Sequence, residues 1–481
     1  MGETLADLVA CEDVLMFVNA AITSTGQREF HDHEFAQRLS LEFLHEYMLA
    51  NYREVYAAVL ALDINDHNAA MIVRNLLVHA CDVPADRRRA EGRLIAARLR
   101  RLPPQRVLRL FRDLRRLGVN NRRTRAIVRE WLAARPDPAF DAVKYRGAMR
   151  EAVRHAHLRL PRWDEATHGE MGRFLFASYR GGRFRTPLFE TWRRAHYEQA
   201  AVYDLPYTVA EGFAAEHGIP RKTFLERIEP RMTRLERLRL QENARAHETG
   251  SVAADLSAMP LTRLATYVLA LPLDDRAERR AELTAALHTA ARRAAGPLAG
   301  RWGRVTAVLD DSFSTLGSGQ KRRRPLAVAL ACHHLLKALA SRYTPLWLSG
   351  RTDDLLLYPY GPTPLGERIL DALDTAPDRL VIVSDGWDNA PPGLAAEVLR
   401  VWRTRLDPDR RVTVTHLNPV YDAGDFDVRR LAPTVPTAGI RDAEDLPTLV
   451  ELARFAEGRA GIGDVRAYLD ERVARFLEED R

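Results

Sequence analysis

Cysteine is scarce in this chain. Three cysteines occur among 481 residues, far apart and without a CxxC pair, which excludes a disulfide scaffold and a zinc finger and is typical of a reducing compartment. No apolar run approaches the ~20 residues that cross a bilayer. The N-terminal MGETLADLVACEDV carries acids where a signal peptide has basic residues. We therefore predict a cytoplasmic protein with no membrane partner.

Recognisable catalytic motifs are also missing. The sequence has no H-E-x-x-H, no G-x-S-x-G and no cysteine with a locally supported histidine partner. The adjacent His333 and His334 lie within an apolar helical pattern and are expected to pack. We predict a binding protein and not an enzyme.

Positive charge is concentrated in one stretch. Residues 87–159 contain 22 Lys and Arg against 6 Asp and Glu, a local charge of +16, whereas the whole chain carries +7 and the remainder therefore −9. Such concentration indicates a polyanionic partner. The alternative is a set of solvated arginine-rich helix faces.

Apolar residues recur with helical spacing through residues 1–300. Helices are predicted over 35–49, 94–102, 105–117 and 123–134, with breaks at 103–104, 118–121 and 136–138. Helical hairpins of this length, arranged in series, favour a HEAT-like solenoid.

Strands and helices alternate from about residue 302. Apolar strands are predicted over 305–309, 345–348, 355–358, 380–383 and 412–416, with helices over 324–341, 365–373 and 394–402 between them. This alternation is typical of a doubly wound parallel α/β sheet. We divide the sequence into 1–300 (helical repeats), 301–460 (α/β) and 461–481 (a C-terminal helix).

Oxygen-bearing side chains follow two of these strands. Asp310, Ser312 and Ser314 form a D-x-S-x-S loop after the first strand, Thr363 begins a later helix, and Asp385 follows the strand 380–383. Ligands of such sheets bind at the carboxyl ends of the strands, and carboxylates with hydroxyls suit octahedral Mg²⁺. The alternative is a loop that holds the sheet edge without a metal.

This loop resembles the metal-ion-dependent adhesion site (MIDAS) of a von Willebrand factor A domain. The order D-x-S-x-S, threonine, aspartate matches that family, although Phe313 stands at its usual glycine. The resemblance implies that a partner's carboxylate binds the metal.

The basic stretch carries a second resemblance. Residues 121–132 form a basic segment ending in Trp-Leu, Lys144-Tyr145-Arg146 follows, and a helix then closes on Ala-His at His157. A Met-Pro-Leu-Thr segment at 259–262 precedes the α/β half. Together these features are similar to the TROVE domain of Ro autoantigens and their bacterial orthologues. The family's Gly-Gly-Thr-Tyr-Tyr segment has no counterpart here.

The Ro resemblance implies a monomeric HEAT-repeat ring closed by the A domain. Such ribonucleoproteins bind single-stranded 3′ ends of misfolded RNAs and small Y RNAs, in RNA quality control or degradation. Carried over to this chain, the resemblance assigns RNA contacts to Lys144, Arg146 and His157, with a looser match at Arg150. Among the basic residues before Trp131, Arg122, Arg123 and Arg125 are further candidates. Core packing for His157 and ordinary surface roles for the cations remain alternatives.

A protein-interaction adaptor is the alternative function. Many bacterial A-domain proteins work with MoxR-type AAA+ ATPases and use the metal loop to bind a partner's acidic residue. In that case the helical half is a scaffold and its charge is incidental.

Overall fold

A computed structural model describes residues 5–80, 83–158, 167–178, 182–233, 236–237, 240, 256–453 and 461–480. The chain is mostly helical, with a small parallel sheet of five strands in its C-terminal part. Within the described residues, no helix has both the length and the apolar character needed to cross a membrane.

The chain divides into two compact units. The first comprises Met1–Ala69 and Leu256–Arg475, and the second Ala70–Asp255 and Phe476–Arg481. The first unit therefore joins N-terminal helices to the sheet, since helix Leu5–Thr23 packs on strands of the C-terminal half. The boundaries expected at residues 300 and 460 stay predictions. The two compact units divide the chain at other places, after Ala69, Asp255 and Arg475.

Five parallel strands form the sheet of the first unit. They are β1 (Arg304–Leu309), β2 (Arg342–Trp347), β3 (Arg379–Val383), β4 (Thr413–Asn418) and β7 (Thr437–Gly439), in the spatial order β2-β1-β3-β4-β7. A short antiparallel pair, β5 (Tyr421–Asp422) and β6 (Asp427–Val428), lies outside this sheet. β2 lies on one side of β1, and β3, β4 and β7 follow on the other side. The direction of the strand order therefore reverses between β1 and β3.

Helices cover both faces of the sheet. The connections between parallel strands are normally right-handed, so connections that run in opposite directions along the sheet place their helices on opposite faces. Helix Arg324–Leu339, buried along nearly its whole length, packs against helices Leu261–Ala270 and Arg280–Ala295. A second apolar cluster joins Val308 of β1 to helices Leu365–Asp374 and Leu394–Val401. Strands buried on both faces explain their continuous apolar sequences. The remaining helices of this unit are Glu34–Asn51, Arg53–Ala58, Leu273–Glu278 and Leu446–Ala453, and helices Asp66–Val78 and Ile462–Glu478 run across the unit boundaries.

The second unit is helical throughout its described part. Its helices are Ala85–Arg101, Pro104–Arg116, Arg122–Ala133, Pro138–Lys144, Arg146–His155, Met171–Phe176, Pro187–Arg194, Tyr207–Glu216 and Arg221–Ile228. Several begin with proline, which lacks the N–H that a first helical position leaves unpaired. Helix Ala85–Arg101 packs on Arg122–Ala133, and Pro104–Arg116 packs on Arg146–His155. The buried Phe111 and Trp131 rings meet edge to face, with centroids 5.5 Å apart.

The strand predicted over 355–358 is wrong. Residues Asp354–Leu356 form a 3₁₀ turn instead. The Asp353 carboxylate caps this turn by accepting a hydrogen bond from the Leu355 N–H. The backbone carbonyls of Leu355 and Leu357 accept hydrogen bonds from the buried Arg276 guanidinium, at 3.1 and 2.8 Å. Leu355 and Leu357 are buried, but a side chain takes the hydrogen bonds that a neighbouring strand would otherwise form.

Candidate metal loop and basic cleft

The D-x-S-x-S loop lies where the strand order reverses. Asp310 directly follows β1, and its N–H donates to the Val383 carbonyl at the end of β3 at 3.0 Å. Asp385 follows that same strand two residues later. The fold thus brings the two predicted carboxylates to one edge of the sheet, at the position where doubly wound folds bind ligands.

Asp310 is buried and incompletely paired. Its Oδ1 accepts the Ser312 N–H at 2.8 Å, whereas its Oδ2 has no hydrogen-bond partner among the described residues. Burial, and next the nearby charge of Asp385, raise the pKa of Asp310 to about 8. A buried carboxylate oxygen without a partner is costly, and a bound cation would remove that cost. The Asp310 environment therefore fits a metal ligand.

The adjacent Asp311 has a different role. Its carboxylate accepts hydrogen bonds from the N–H and the hydroxyl of Ser349 and lies 3.6 Å from the Arg351 guanidinium. Asp311 therefore ties the loop after β1 to the loop after β2. Of the two consecutive acids, Asp310 alone retains a free oxygen.

The hydroxyl groups of the predicted site occupy two neighbouring loops. Ser312 Oγ and Ser314 Oγ lie 3.3 Å apart. The loop containing Thr363 is attached to them because the Phe313 N–H donates to the Gly361 carbonyl at 3.0 Å. Thr363 is buried, and its N–H donates to Asn389 Oδ1 at 2.8 Å, which fixes its backbone.

An N-terminal segment, residues 28–33, lies against this loop. His31 Nε2 is 3.6 Å from Asp385 Oδ2, and the His31 ring lies 4.7 Å from the Trp387 ring. Phe30 contacts Phe313 edge to face at 5.9 Å. Sequence reasoning missed this segment. The one available signal was Phe313 itself, a large apolar residue in place of the usual glycine.

The segment is anchored on the N-terminal side of the Phe30 contact. Ser318 Oγ donates to the Arg28 carbonyl at 2.6 Å, and the Arg28 N–H donates to Gln320 Oε1 at 3.0 Å. Lys321 forms an ion pair with the buried Glu29. The glycine-rich turn after the metal loop thus binds the N-terminal segment.

His333 and His334 are buried, as their apolar context predicts, but they also face a carboxylate. Asp354 Oδ2 lies 3.2 Å from His333 Nε2 and 3.4 Å from His334 Nε2. Burial, and next the charge of His333, lower the pKa of His334 to about 3. Although burial alone raises the pKa of Asp354, the His333 hydrogen bond and neighbouring positive charges lower it to about 2.

Two of the basic residues assigned to RNA, Arg146 and Arg123, form contacts within the second unit. The Arg146 guanidinium donates to the Phe174 and Ala177 carbonyls, each at 2.9 Å, and lies over the Trp192 ring. Burial, and next the charge of Arg150, lower the pKa of Arg146. Arg123 pairs with the buried Glu91 at 3.2 Å. These contacts stabilise the second unit.

The other assigned residues differ in exposure. Lys144 is half-buried, 3.8 Å from Glu236 and above the Phe140 ring. The Arg150 Nε is buried without a hydrogen-bond partner among the described residues. Arg122 is exposed and Arg125 half-buried. His157 is exposed, with a left-handed φ of 49° after helix Arg146–His155, so it is not a core residue.

A basic cleft lies between helices Pro104–Arg116 and Arg146–His155, and sequence reasoning missed it. Its volume is about 400 Å³, and its lining residues are Gln105, Leu108, Arg109, Arg112, Asp113, Arg116, Tyr145 and Ala148. The three arginines follow one another at intervals of three and four residues, the spacing that aligns side chains along one helix face. That spacing was the available signal.

The arginines of the cleft are free to different degrees. Arg109 is exposed and forms no ion pair among the described residues. Arg116 pairs with Asp113 at 3.5 Å on the surface, and Arg112 with Glu151 at 2.9 Å. Exposed pairs of this kind contribute only about 0–1 kcal/mol, so a phosphate can replace the carboxylate at little cost. Tyr145, held by a 3.0 Å hydrogen bond to Gln105, completes the wall.

No protein-family model matches this sequence, and no curated protein matches it significantly.

Proposed function

We propose that the chain is a Ro-like RNA-binding protein. It binds small Y-like or misfolded RNAs with single-stranded 3′ ends and serves as a scaffold in RNA quality control or degradation. The observation that carries the proposal is the cleft of Arg109, Arg112 and Arg116 beside Tyr145, within a stretch of net charge +16.

The chemistry of the cleft matches a nucleic-acid backbone. Arginine binds phosphate through two parallel N–H groups, and successive cations along a helix face make phosphate contacts cumulative. An aromatic ring beside them stacks a base without selecting its identity, for about 1–3 kcal/mol. Arg122 and His157 are also exposed and belong to the same basic stretch of sequence.

The Ro resemblance supports the same function. The contacts of Arg146 lead us to assign different roles to Arg146 and Tyr145. Lys144-Tyr145-Arg146, the Ala-His end at His157 and the order of the parts match the family, and a HEAT-like ring closed by a von Willebrand A domain is part of the proposal. Because Arg146 binds two carbonyls, we assign it to positioning helix Arg146–His155. Direct contact falls instead to Tyr145 and the arginines opposite it.

The test uses a structured RNA with a single-stranded 3′ tail and fluorescence anisotropy. Arg109→Gln/Arg116→Gln is expected to weaken binding at least tenfold, and His157→Ala to weaken it less. The matched control, Arg301→Gln/Arg405→Gln, removes two exposed charges outside the basic stretch and is expected to change binding less than twofold. Equal losses in both double variants would contradict a localised site.

An A-domain adaptor is the second candidate, favoured by the unpartnered Asp310 Oδ2. In this proposal Asp310, Ser312 and Ser314, with Thr363 and Asp385, would hold Mg²⁺, which would supply the positive charge that binds a partner's carboxylate. The partner is a protein such as a MoxR-type AAA+ ATPase. The loop contacts of these side chains would fix the position of the ion at the sheet edge.

The two candidates differ in their response to a chelator. A metal-bridged contact with a purified MoxR-type ATPase is expected to disappear with EDTA or in Asp310→Asn. RNA binding through the cleft is expected to persist under both conditions. Loss of RNA binding in a folded Asp310→Asn protein would contradict the separation of the two sites.

A further inference from the structure

A second group of metal-ligating side chains lies in the first unit, away from the D-x-S-x-S loop. His333 and His334 are consecutive residues of helix Arg324–Leu339, and Asp354 begins the 3₁₀ turn Asp354–Leu356. One ligand atom from each of the three residues lies within 4.8 Å of the others. Both imidazole rings are buried, while the carboxylate is partly accessible.

The spacing of these atoms matches a tetrahedral metal site. Zn²⁺ binds nitrogen and oxygen ligands at about 2.0–2.1 Å, which places two tetrahedral ligands about 3.3 Å apart. Asp354 Oδ2 lies 3.2 Å from His333 Nε2 and 3.4 Å from His334 Nε2. Both separations therefore equal the edge of a zinc tetrahedron.

The hydrogen bonding of His334 points independently to a missing ligand. The side chain is 1% exposed, and neither of its ring nitrogens has a hydrogen-bond partner among the described residues. A buried polar group is normally paired, and here the Asp354 oxygen shared with His333 lies 3.4 Å from His334 Nε2. A cation between the two groups would bind both.

The surroundings of His333 fit the same arrangement. His333 Nδ1 lies 3.1 Å from the hydroxyl of the buried Tyr343 on β2. When His333 Nδ1–H donates to this hydroxyl, the Nε2 lone pair is directed towards Asp354. Metal-binding histidines are typically oriented by such a second hydrogen bond.

We propose that His333 Nε2, His334 Nε2 and Asp354 Oδ2 bind one Zn²⁺ ion, with water in the fourth position. Two imidazoles and one carboxylate favour zinc over Mg²⁺, which prefers oxygen ligands alone. The ion would fasten helix Arg324–Leu339 to the turn that follows β2. This site is separate from the metal loop and does not depend on the function proposed above.

The experiment measures zinc affinity of the full chain after chelator treatment, by competition with a chromophoric zinc chelator. The wild-type protein is expected to bind one equivalent of Zn²⁺. Asp354→Asn preserves shape at a partly exposed position and is expected to weaken binding at least 100-fold. His334→Gln is expected to do the same, and circular dichroism verifies that each variant is folded.

The matched control addresses another imidazole that lies near a carboxylate. His31→Gln removes the ring beside Asp385 and is expected to leave the high-affinity zinc equivalent intact. Cobalt supplies a second readout, because Co²⁺ at the cluster should give the intense visible absorption of tetrahedral coordination in wild type and not in Asp354→Asn. Wild-type affinity in folded Asp354→Asn, or loss of the site in His31→Gln, would overturn the proposal.

Discussion

Replacement of Asp310 by asparagine removes a buried charge while the side chain keeps its shape. The Oδ1 atom that accepts the Ser312 N–H is retained. In the wild-type protein, burial and next Asp385 raise the pKa of Asp310 from 3.8 to about 8. Because the folded chain holds this proton more tightly than the unfolded chain, the free energy of unfolding falls as pH rises from about 4 to about 8.

The size of this effect follows from the two pKa values. Each tenfold difference in proton affinity corresponds to about 1.4 kcal/mol, so metal-free wild type loses at most about 4 kcal/mol between pH 4 and pH 7. Asp310→Asn has no charge to lose. The variant is therefore expected to match wild type near pH 4.5 and to be the more stable protein at pH 7.

Urea unfolding in EDTA at both pH values, followed by tryptophan fluorescence, measures the difference. Asp311→Asn is the matched control, and it is expected to destabilise the protein at both pH values because it weakens the Ser349 contacts. Mg²⁺ at 100 times its Kd stabilises the wild type by about 2.7 kcal/mol and is therefore expected to narrow the advantage of Asp310→Asn at pH 7, because the variant has lost the charged ligand. A variant that is less stable than wild type by the same amount at both pH values would refute the reasoning.

Two further substitutions test contacts within the compact units, at Arg276 in the first unit and at Arg123 in the second. Arg276→Met removes the guanidinium that donates to the carbonyls of Leu271, Leu355 and Leu357, whereas the Leu269 carbonyl keeps Arg323 as a donor. At about 1–3 kcal/mol per unpaired group, the free energy of unfolding in urea is expected to fall by at least about 3 kcal/mol, and a loss below about 1 kcal/mol would contradict this role of Arg276. Arg123→Gln weakens the pairing of buried Glu91 and is expected to lower the free energy of unfolding by about 1–3 kcal/mol. Arg122→Gln, on the exposed face, is the control and should leave the thermal midpoint unchanged. Equal effects of the two substitutions would show that Arg123 has no structural role.

The α/β elements were predictable where a continuous apolar run is buried on both faces. β1, β3 and β4 begin within one residue of their predicted starts for this reason, and β4 ends two residues later than predicted. β7 was not predicted, since three residues of Thr-Ala-Gly carry no periodic pattern. The strand predicted over 355–358 was wrong because Arg276, distant in sequence, binds its carbonyls.

The sites were predictable to the extent that their residues are local in sequence. The D-x-S-x-S loop and Asp385 meet because parallel strands place their carboxyl ends at one edge. The contact of Phe30 with Phe313 joins residues far apart in the chain, which no local pattern encodes. Arg146 was assigned to RNA from its place in the Lys-Tyr-basic motif, which does not encode the contacts of its guanidinium with the Phe174 and Ala177 carbonyls; RNA contact at this residue stays a prediction.

The most direct test of the RNA-binding proposal is the dependence of affinity on salt. A protein that neutralises about 6–10 phosphates loses about 10³–10⁵ in affinity between 50 and 200 mM salt. We expect the wild-type protein to show such a loss with the tailed RNA. Because each lost phosphate contact lowers the slope by about 0.7–0.9, Arg109→Gln/Arg116→Gln is expected to have a slope shallower by about 1.5. Wild-type binding that is weak and insensitive to salt, or an unchanged slope in that double variant, would contradict the account.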